Sequence, residues 1–535
     1  MNDKGQLYFG GDIYTVDDAL PSAEAVAVKD GRIVAVGAKS HCLSLLGADC
    51  EVIDLNGRAL IPGFIDTHLH PVLMIYFDTN IDLRGTSSMT DLQRKMRDTA
   101  QRTAPNNWVV GMNLDEQGME EKRLPTRREL DIACSDRPMI IIKHDGHMVI
   151  ANTRAIEAVG ISASTPDPEG GVIDRESGGY PLGPFRESAA NILLSAMPMP
   201  DIPSFVTGAS TTFGRLLSHG VTSAGAVLQT GEDGPAGRSG AFDVLAMNML
   251  LEHVPINLYG LLIADDLTKI EAARKTPLHQ KERGKHCIRA TKIFSDGSYG
   301  SCTAYMYEPY TDQPDKRGFL VIGAEDLYKR MVAAHNAGLQ LCIHAIGDAA
   351  NRTCVDLYDR LLKEYPRADH RHRLEHASQL DAGIIADIAR LGLVISTQPM
   401  FIHSEKHWLH VRLGKERLKW TYPFRSILDA GIKIAGASDA PVESTEVMHA
   451  IQCCVTREGF EPQQAITAAE AVRMFTLDAA YAQFEDSVKG SISVGKRADM
   501  VILSKNPLSA PPDKIREIKV EQTIVGGKTL FQRRH

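Results

Sequence analysis

The chain has 535 residues, 43% of them hydrophobic and 24% charged, with a formal net charge of −8. That balance is ordinary for a globular chain with a large core, and it excludes disorder, collagen-like repeats and a coiled-coil rod. The mildly acidic charge lacks the basic footprint of a nucleic-acid binder, so no nucleic-acid partner is expected.

At roughly 150 residues per domain the length suggests about three or four domains, a count the pattern of elements can revise. The start of the chain shows no basic stretch leading into an apolar one, and no apolar run reaches the ~18 residues of a membrane span. No signal peptide and no membrane partner are therefore expected. The nine cysteines are scattered without a CxxC pair, as in a reduced, cytoplasmic protein.

In chain order, LYFGGDIYTVDD and AVAVKDGRIVAVG open with short alternating runs split by Gly-Gly and Asp-Gly, which is hairpin chemistry. RADMVILSKNP and EQTIVGGKTLFQ repeat that texture at the far end. Neither end alone has enough strands for a stable sheet. Residues 1–60 and 485–535 are thus expected to join in one small β-sandwich domain built from both termini.

Between them, strand-like runs at 59–70, 221–227, 256–264, 288–295, 341–346, 373–376, 394–398 and 432–438 alternate with helical stretches such as AEDLYKRMVAAHNAG and AGIIADIARLG. Gly338, Gly392 and Gly431 each follow a helical stretch and suit a C′ position. Eight βα units predict an α/β fold, a (β/α)8 TIM-type barrel over 61–484. The gap after the first strand is too long for one helix. An insertion at 77–205 is expected, covering the active-site mouth. It holds the strand-like WVVGMNLD and PMIIIKHDGHMVIAN and a Gly/Pro-rich tract, TPDPEGGVIDRESGGYPLGPFRE. Its Trp108, Tyr180 and Phe185 offer apolar surface, with core packing the commoner role for any one aromatic.

The first strand ends in IPGFIDTHLH. Alternation points His68 and His70 the same way. At the C-terminal end of a barrel strand, where active sites sit, they would offer two imidazoles to a divalent metal. HxH alone is weak. His344 in LCIHAIGD, His376 in RHRLEHAS and Asp439 in IAGASDAP fall at the ends of the fifth, sixth and eighth strands. Each alone reads as a satisfied core group or a cap. Together on one rim, buried polar groups need a partner, and a cation supplies one. Lys292, in IRATKIFSDGS on the fourth strand, enters the barrel if Ala290 and Phe294 face inward. A plain ammonium repels a dication. Carboxylation by carbon dioxide would make it an anionic carbamate; the alternative is a lysine paired to Asp296 or to a substrate carboxylate. His403 and His407 are four apart, which on a helix would place them together. A lid or pocket edge, including His410, is the preferred reading there.

These segments resemble the amidohydrolase superfamily, specifically the amidohydrolase-3 group that includes N-substituted formamide deformylase-like enzymes. PGFIDTHLHP, KIFSDGSYGS, IHAIGDAAN, RLEHAS, ASDAPV, AVRMFTLDAA and GSISVGKRADMVIL occur in the family's order and span nearly the whole chain. The resemblance implies a hydrolase of non-peptide C–N bonds with one or two divalent metals, zinc foremost. It carries over His68, His70, His344 and His376 as metal ligands, Lys292 as a carboxylated bridge, and Asp439 as catalytic acid/base and further ligand. His147, in KHDGHMVIAN, is carried over as a substrate-facing residue that also polarises the carbonyl. Cys302 and Ala349 stand where relatives usually carry Arg, so both bear on substrate choice or loop packing.

The expected chemistry is attack of metal-activated hydroxide on a small-molecule amide, with Asp439 moving the proton to the leaving nitrogen. Homo-oligomers are implied by the resemblance alone. Two alternatives stay open: a deaminase or cyclic-amide hydrolase of the same superfamily, and a non-catalytic metal-binding regulatory protein on a retained barrel.

Overall fold

A computed structural model of the chain describes residues 4–47, 49–103, 107–143, 148–168, 171–197, 202–231, 240–282 and 284–534. It divides into two compact units. One comprises Met1–His70, Phe213–Leu228 and Val254–His535, the other Pro71–Thr212 and Gln229–His253.

The first unit contains an eight-stranded barrel sheet. Its strands are β1 (Phe64–Leu69), β2 (Val221–Gln229), β3 (Asn257–Ile263), β4 (Cys287–Phe294), β5 (Gln340–Ala345), β6 (Arg373–His376), β7 (Val394–Thr397) and β8 (Ile434–Gly436). They lie side by side in chain order, with parallel pairing from β1 to β2 and from β3 through β8. The two edges meet just past the strands. Asp439 N donates to His68 O at 2.8 Å, and His70 N donates to Ala440 O at 2.8 Å. Strands buried on both faces read as near-continuous apolar runs, which made β3 (NLYGLLI) plain in the sequence, while β6 (RLEH) is mostly polar although fully buried. Gly338, Gly392 and Gly431 take left-handed φ of 76°, 65° and 76° just after helices Ala324–Asn336, Ala382–Leu391 and Phe424–Asp429. Gly338 and Gly431 fill the C′ role expected of them, and Gly392 is itself the C-cap.

The long first run at 59–70 is two strands rather than one. Ala59–Pro62 belongs to a different sheet, and the chain crosses into the barrel at Gly63. A Cβ at Gly63 would lie 2.4 Å from Thr222 Cγ2, so only glycine fits this crossing.

That other sheet is also eight-stranded and takes strands from both ends of the chain. Ala59–Pro62 pairs antiparallel with Met500–Leu503 and parallel with Gln6–Tyr14. Tyr8, Val26, Leu60, Met500, Ile502 and Ile524 share one apolar core.

The second unit is built on a six-stranded sheet ordered Gly171–Arg175, Pro181–Glu187, Met148–Ala151, Met139–Lys143, Val109–Leu114, Ile81–Asp82. Alternation sends Val109, Met139, Ile141 and Ile150 to one core and Val110, Met112, Ile140, Ile142 and Val149 to another, and a register shift at Asn113 turns Leu114 to the first. Both faces are thus covered. The Gly/Pro-rich tract holds an antiparallel pair, its turn closed by Gly179 N donating to Glu176 O at 2.8 Å. Trp108, Tyr180 and Phe185 pack in the second of these cores. No helix among the described residues is long and apolar enough to cross a membrane.

Candidate metal centre

The C-terminal ends of the barrel strands bring six side chains together. His68 is the penultimate residue of β1 and His70 lies just past it. Lys292 lies on β4, in register with Ile263 and Cys342. His344 is on β5, His376 ends β6, and Asp439 sits three residues past β8. His68, His70 and Asp439 offer ligand atoms that all lie within 4.8 Å of one another. Asp439 Oδ1 is 3.1 Å from His70 Nε2 and 3.4 Å from His68 Nε2. The cluster continues through ring centroids 5.3 Å apart for His68–His376 and 4.4 Å for His344–His376. Backbone strain accompanies it: His376 and Asp439 hold left-handed φ of 69° and 58°, which non-glycine residues adopt mainly where surroundings enforce it.

Each of three histidines has one nitrogen engaged so that the other is left for a ligand. His68 Nδ1 meets Glu375 Oε2 at 2.5 Å, freeing Nε2 on the Asp439 side. His376 Nδ1 donates to Gln398 Oε1 at 2.8 Å. His344 Nε2 donates to Gly297 O at 3.0 Å, and its buried Nδ1 has no hydrogen-bond partner among the described residues. An acceptor on one imidazole nitrogen fixes the tautomer and presents the other lone pair, the usual arrangement around metal-ligating histidines.

Lys292 is 1% exposed, and its Nζ likewise lacks a hydrogen-bond partner among the described residues, lying 4.6 Å over the Phe294 ring. Burial pushes its ammonium down to about 8, against the pull of Glu375 and Asp439. Asp296 does not pair with it closely. Its carboxylate accepts from the backbone of Ile346, Gly347 and Tyr305 at 2.9–3.0 Å, and burial pushes it up to about 7. Burial also drives His68, His344 and His376 well below the ordinary imidazole value, so they stand as neutral donors. For Asp439 burial acts upward, but the His70 hydrogen bond and the neighbouring His68, His70 and Lys292 together outweigh it and hold the carboxyl below its usual range. Two buried polar atoms without hydrogen-bond partners among the described residues, beside neutral imidazoles and an ionised carboxylate, form a donor set that a divalent cation fits.

Several supporting residues escaped the sequence reading. Glu375 joins His68 to Arg373, whose Nε lies 2.7 Å and Nη2 2.6 Å from its Oε1, both side chains fully buried. Asp66 Oδ1 accepts from His68 N and Ser438 N, each at 3.1 Å, tying β1 to the turn after β8. Burial pushes it up to about 6. The signal for Asp66 was present, since 66, 68 and 70 share a strand face. Gln398 carried none.

Other expected residues fall elsewhere. His147 lies outside the described residues. Cys302 is buried, and its Sγ takes a hydrogen bond from Arg412 Nη1 at 2.7 Å, which fastens the loop after β4. Ala349 is buried on helix Asp348–Glu364. His403 and His407 do not share a helix: Met400–Glu405 ends before His407, and His403 pairs instead with Glu458.

The chain is similar to known proteins over nearly its whole length. The amidohydrolase family model matches residues 51–531. The N-substituted formamide deformylase of Arthrobacter pascens is 29% identical over 98% of this chain and 98% of its own. The LONG AFTER FAR-RED 3 protein of Arabidopsis thaliana is 30% identical over 98% of this chain and 91% of its own. A crystal structure of an uncharacterized metal-dependent hydrolase from Pyrococcus furiosus superposes with a TM-score of 0.76 at 26% identity, covering 94% of this chain and 100% of that one.

Proposed function

The chain belongs to the amidohydrolase family, and from that premise we propose that it is a metal-dependent hydrolase of a non-peptide C–N bond, of amide or formamide type. The carrying observation is the convergence of four histidines, Lys292 and Asp439 on one rim, with Lys292 Nζ and His344 Nδ1 buried and without hydrogen-bond partners among the described residues. A full-length relative named as a formamide deformylase supports the choice of bond.

His68, His70, His344, His376 and Asp439 would hold one or two divalent ions, zinc foremost. Lys292 would join them as a carbamate, which turns a repelling ammonium into an anionic ligand. Its depressed value leaves a share of neutral amine at pH 7 to take up carbon dioxide. When bound, the metal supplies Lewis-acid activation of water and of the carbonyl at neutral pH. Asp439 is ionised at that pH. Held by His70, it takes the proton of the attacking water and passes it to the leaving nitrogen, which would otherwise depart as a poor amine anion. His147 is assigned to the substrate carbonyl, and Cys302 to shaping the loop after β4. The same reading covers a small-molecule amide as partner, a homo-oligomeric assembly and a cytoplasmic setting.

The test is metal analysis of purified protein together with assays on formamides, N-acyl amino acids, lactams and aminopurines, scoring release of acid, amine or ammonia. Metal-dependent release of formate and amine is expected. Turnover by a preparation free of zinc, manganese and iron refutes the scheme, and activity confined to aminopurines or lactams overturns the choice of bond.

A further inference from the structure

A second group of donors lies away from the centre described above. Helix Met400–Glu405, beyond β7, carries His403, and helix Val447–Thr456 carries His449 and Cys453. Glu458 follows at a left-handed φ of 47°. Both histidines aim a ring nitrogen at its carboxylate. His403 Nδ1 is 3.0 Å from Oε1 and 2.9 Å from Oε2, and His449 Nε2 is 3.1 Å from Oε1. The two rings meet edge-on with centroids 4.7 Å apart. Lys406 Nζ binds Oε2, and Cys453 Sγ stands 3.8 Å from Oε1.

These separations match a metal shell. Nitrogen and oxygen ligands sit about 2 Å from zinc, so neighbouring tetrahedral donors lie about 3.3 Å apart. The ligand atoms of His403, His449 and Glu458 all lie within 4.8 Å of one another, close enough to converge on one cation. Lys406 on Oε2 orients the carboxylate and leaves Oε1 to the ion, the role outer partners play around metal-ligating carboxylates. His403 is 44% exposed while His449 and Glu458 are 11–12% exposed, so an ion reaches the group from solvent and ends largely enclosed.

We propose that His403, His449 and Glu458 form a second divalent-metal site, suited to zinc, with Cys453 or water completing the shell. It ties the segment after β7 to helix Val447–Thr456. The consequence reaches the first centre, because Phe401 on the same short helix stacks on His376 with centroids 6.2 Å apart and planes 13° apart. An occupied second site fixes the wall behind a ligand of the first.

The experiment is a zinc titration of the purified, metal-loaded protein, with bound zinc counted after gel filtration and the thermal midpoint followed. The same measurements are made on H403A and H449A. His403 is exposed enough that H403A spares the fold, which circular dichroism verifies. Wild type is expected to hold about one zinc per chain more than either variant, and only wild type should gain midpoint as zinc is added. Equal zinc counts in wild type and both variants overturn the site. The comparison is a difference between proteins that share the first centre, so it is read alike whether or not that centre performs the proposed hydrolysis.

Discussion

Glu375→Gln is the sharpest test of how the centre is held. The carboxylate serves two partners at once, with Oε2 on His68 Nδ1 at 2.5 Å and Oε1 on Arg373 Nε and Nη2 at 2.7 and 2.6 Å. Glutamine keeps the shape but cannot serve both. With its oxygen toward His68, its amide N–H groups face the Arg373 donors. With its oxygen toward Arg373, the amide donates to His68 Nδ1, which forces the proton onto Nε2 and blocks that nitrogen as a ligand. Removing one partner of a fully buried ion pair costs about 3–5 kcal/mol. The retained hydrogen bond puts the expected loss at the lower end, about 3 kcal/mol. Loss of an outer-shell partner lowers metal affinity by about 10–100-fold. Urea unfolding of chelator-treated protein reads the first effect, and zinc competition against a chromophoric chelator reads the second. Arg373→Met with Glu375→Met separates them: paired apolar replacement restores much of the stability, while affinity stays low because His68 has no orienting acceptor. Wild-type zinc affinity in E375Q would refute the assignment of Glu375 as the residue that positions His68.

Asp439→Asn preserves an oxygen for His70 and a neutral ligand. Metal content should therefore stay near wild type while kcat falls by about 10²–10⁴-fold, as steady-state kinetics on the best substrate of the panel would measure. Lys292→Ala removes the proposed carbamate, so bound metal should drop, and added acetate or propionate should restore part of it; metal analysis with and without the acid decides. Glu129 closes the cap of helix Arg127–Ala133, and Arg123's hydrogen bond leads in holding it at about 2 against an ordinary 4.5. Its folded value is depressed, so its advantage over Gln in E129Q, of about 1 kcal/mol, is full above pH 4.5 and fades as pH falls toward 2. Urea midpoints of the two proteins across that range should converge; a constant gap counts against the cap. Gly225→Ala would place a Cβ 2.0 Å from Thr67 O, the carbonyl that accepts from Arg373 Nη2 at 3.1 Å. A loss of about 1–3 kcal/mol together with weakened zinc binding is expected, measured as for E375Q.

What the linear pattern could and could not carry follows from these residues. Barrel strands such as β3 were legible because burial on both faces makes them apolar runs, and His68 and His70 were legible because strand alternation fixes their common face. The break at Gly63 was not, since residues 59–65 are apolar on both sides of it and only the approach of Thr222 demands a change of sheet. The partnership of His403 with His449 and Glu458 was hidden for a related reason: a spacing of four favoured His407, but helix Met400–Glu405 stops first, and the true partners lie about 50 residues on. Glu375 is the most instructive case. In RLEH it precedes a residue that drew attention, and strict alternation would turn Glu375 and His376 to opposite faces. The left-handed φ of 69° at His376 breaks that alternation, so both reach the His68 ring, one by a hydrogen bond and one with its ring 5.3 Å away. Register completes the arrangement by setting Glu375 level with His344 on β5 and Ser396 on β7. The ligands are thus a matter of residue type and spacing, but the atom each one offers is decided by a neighbour across the sheet. That is why E375Q, which alters no expected ligand, is predicted to weaken the centre's hold on its metal.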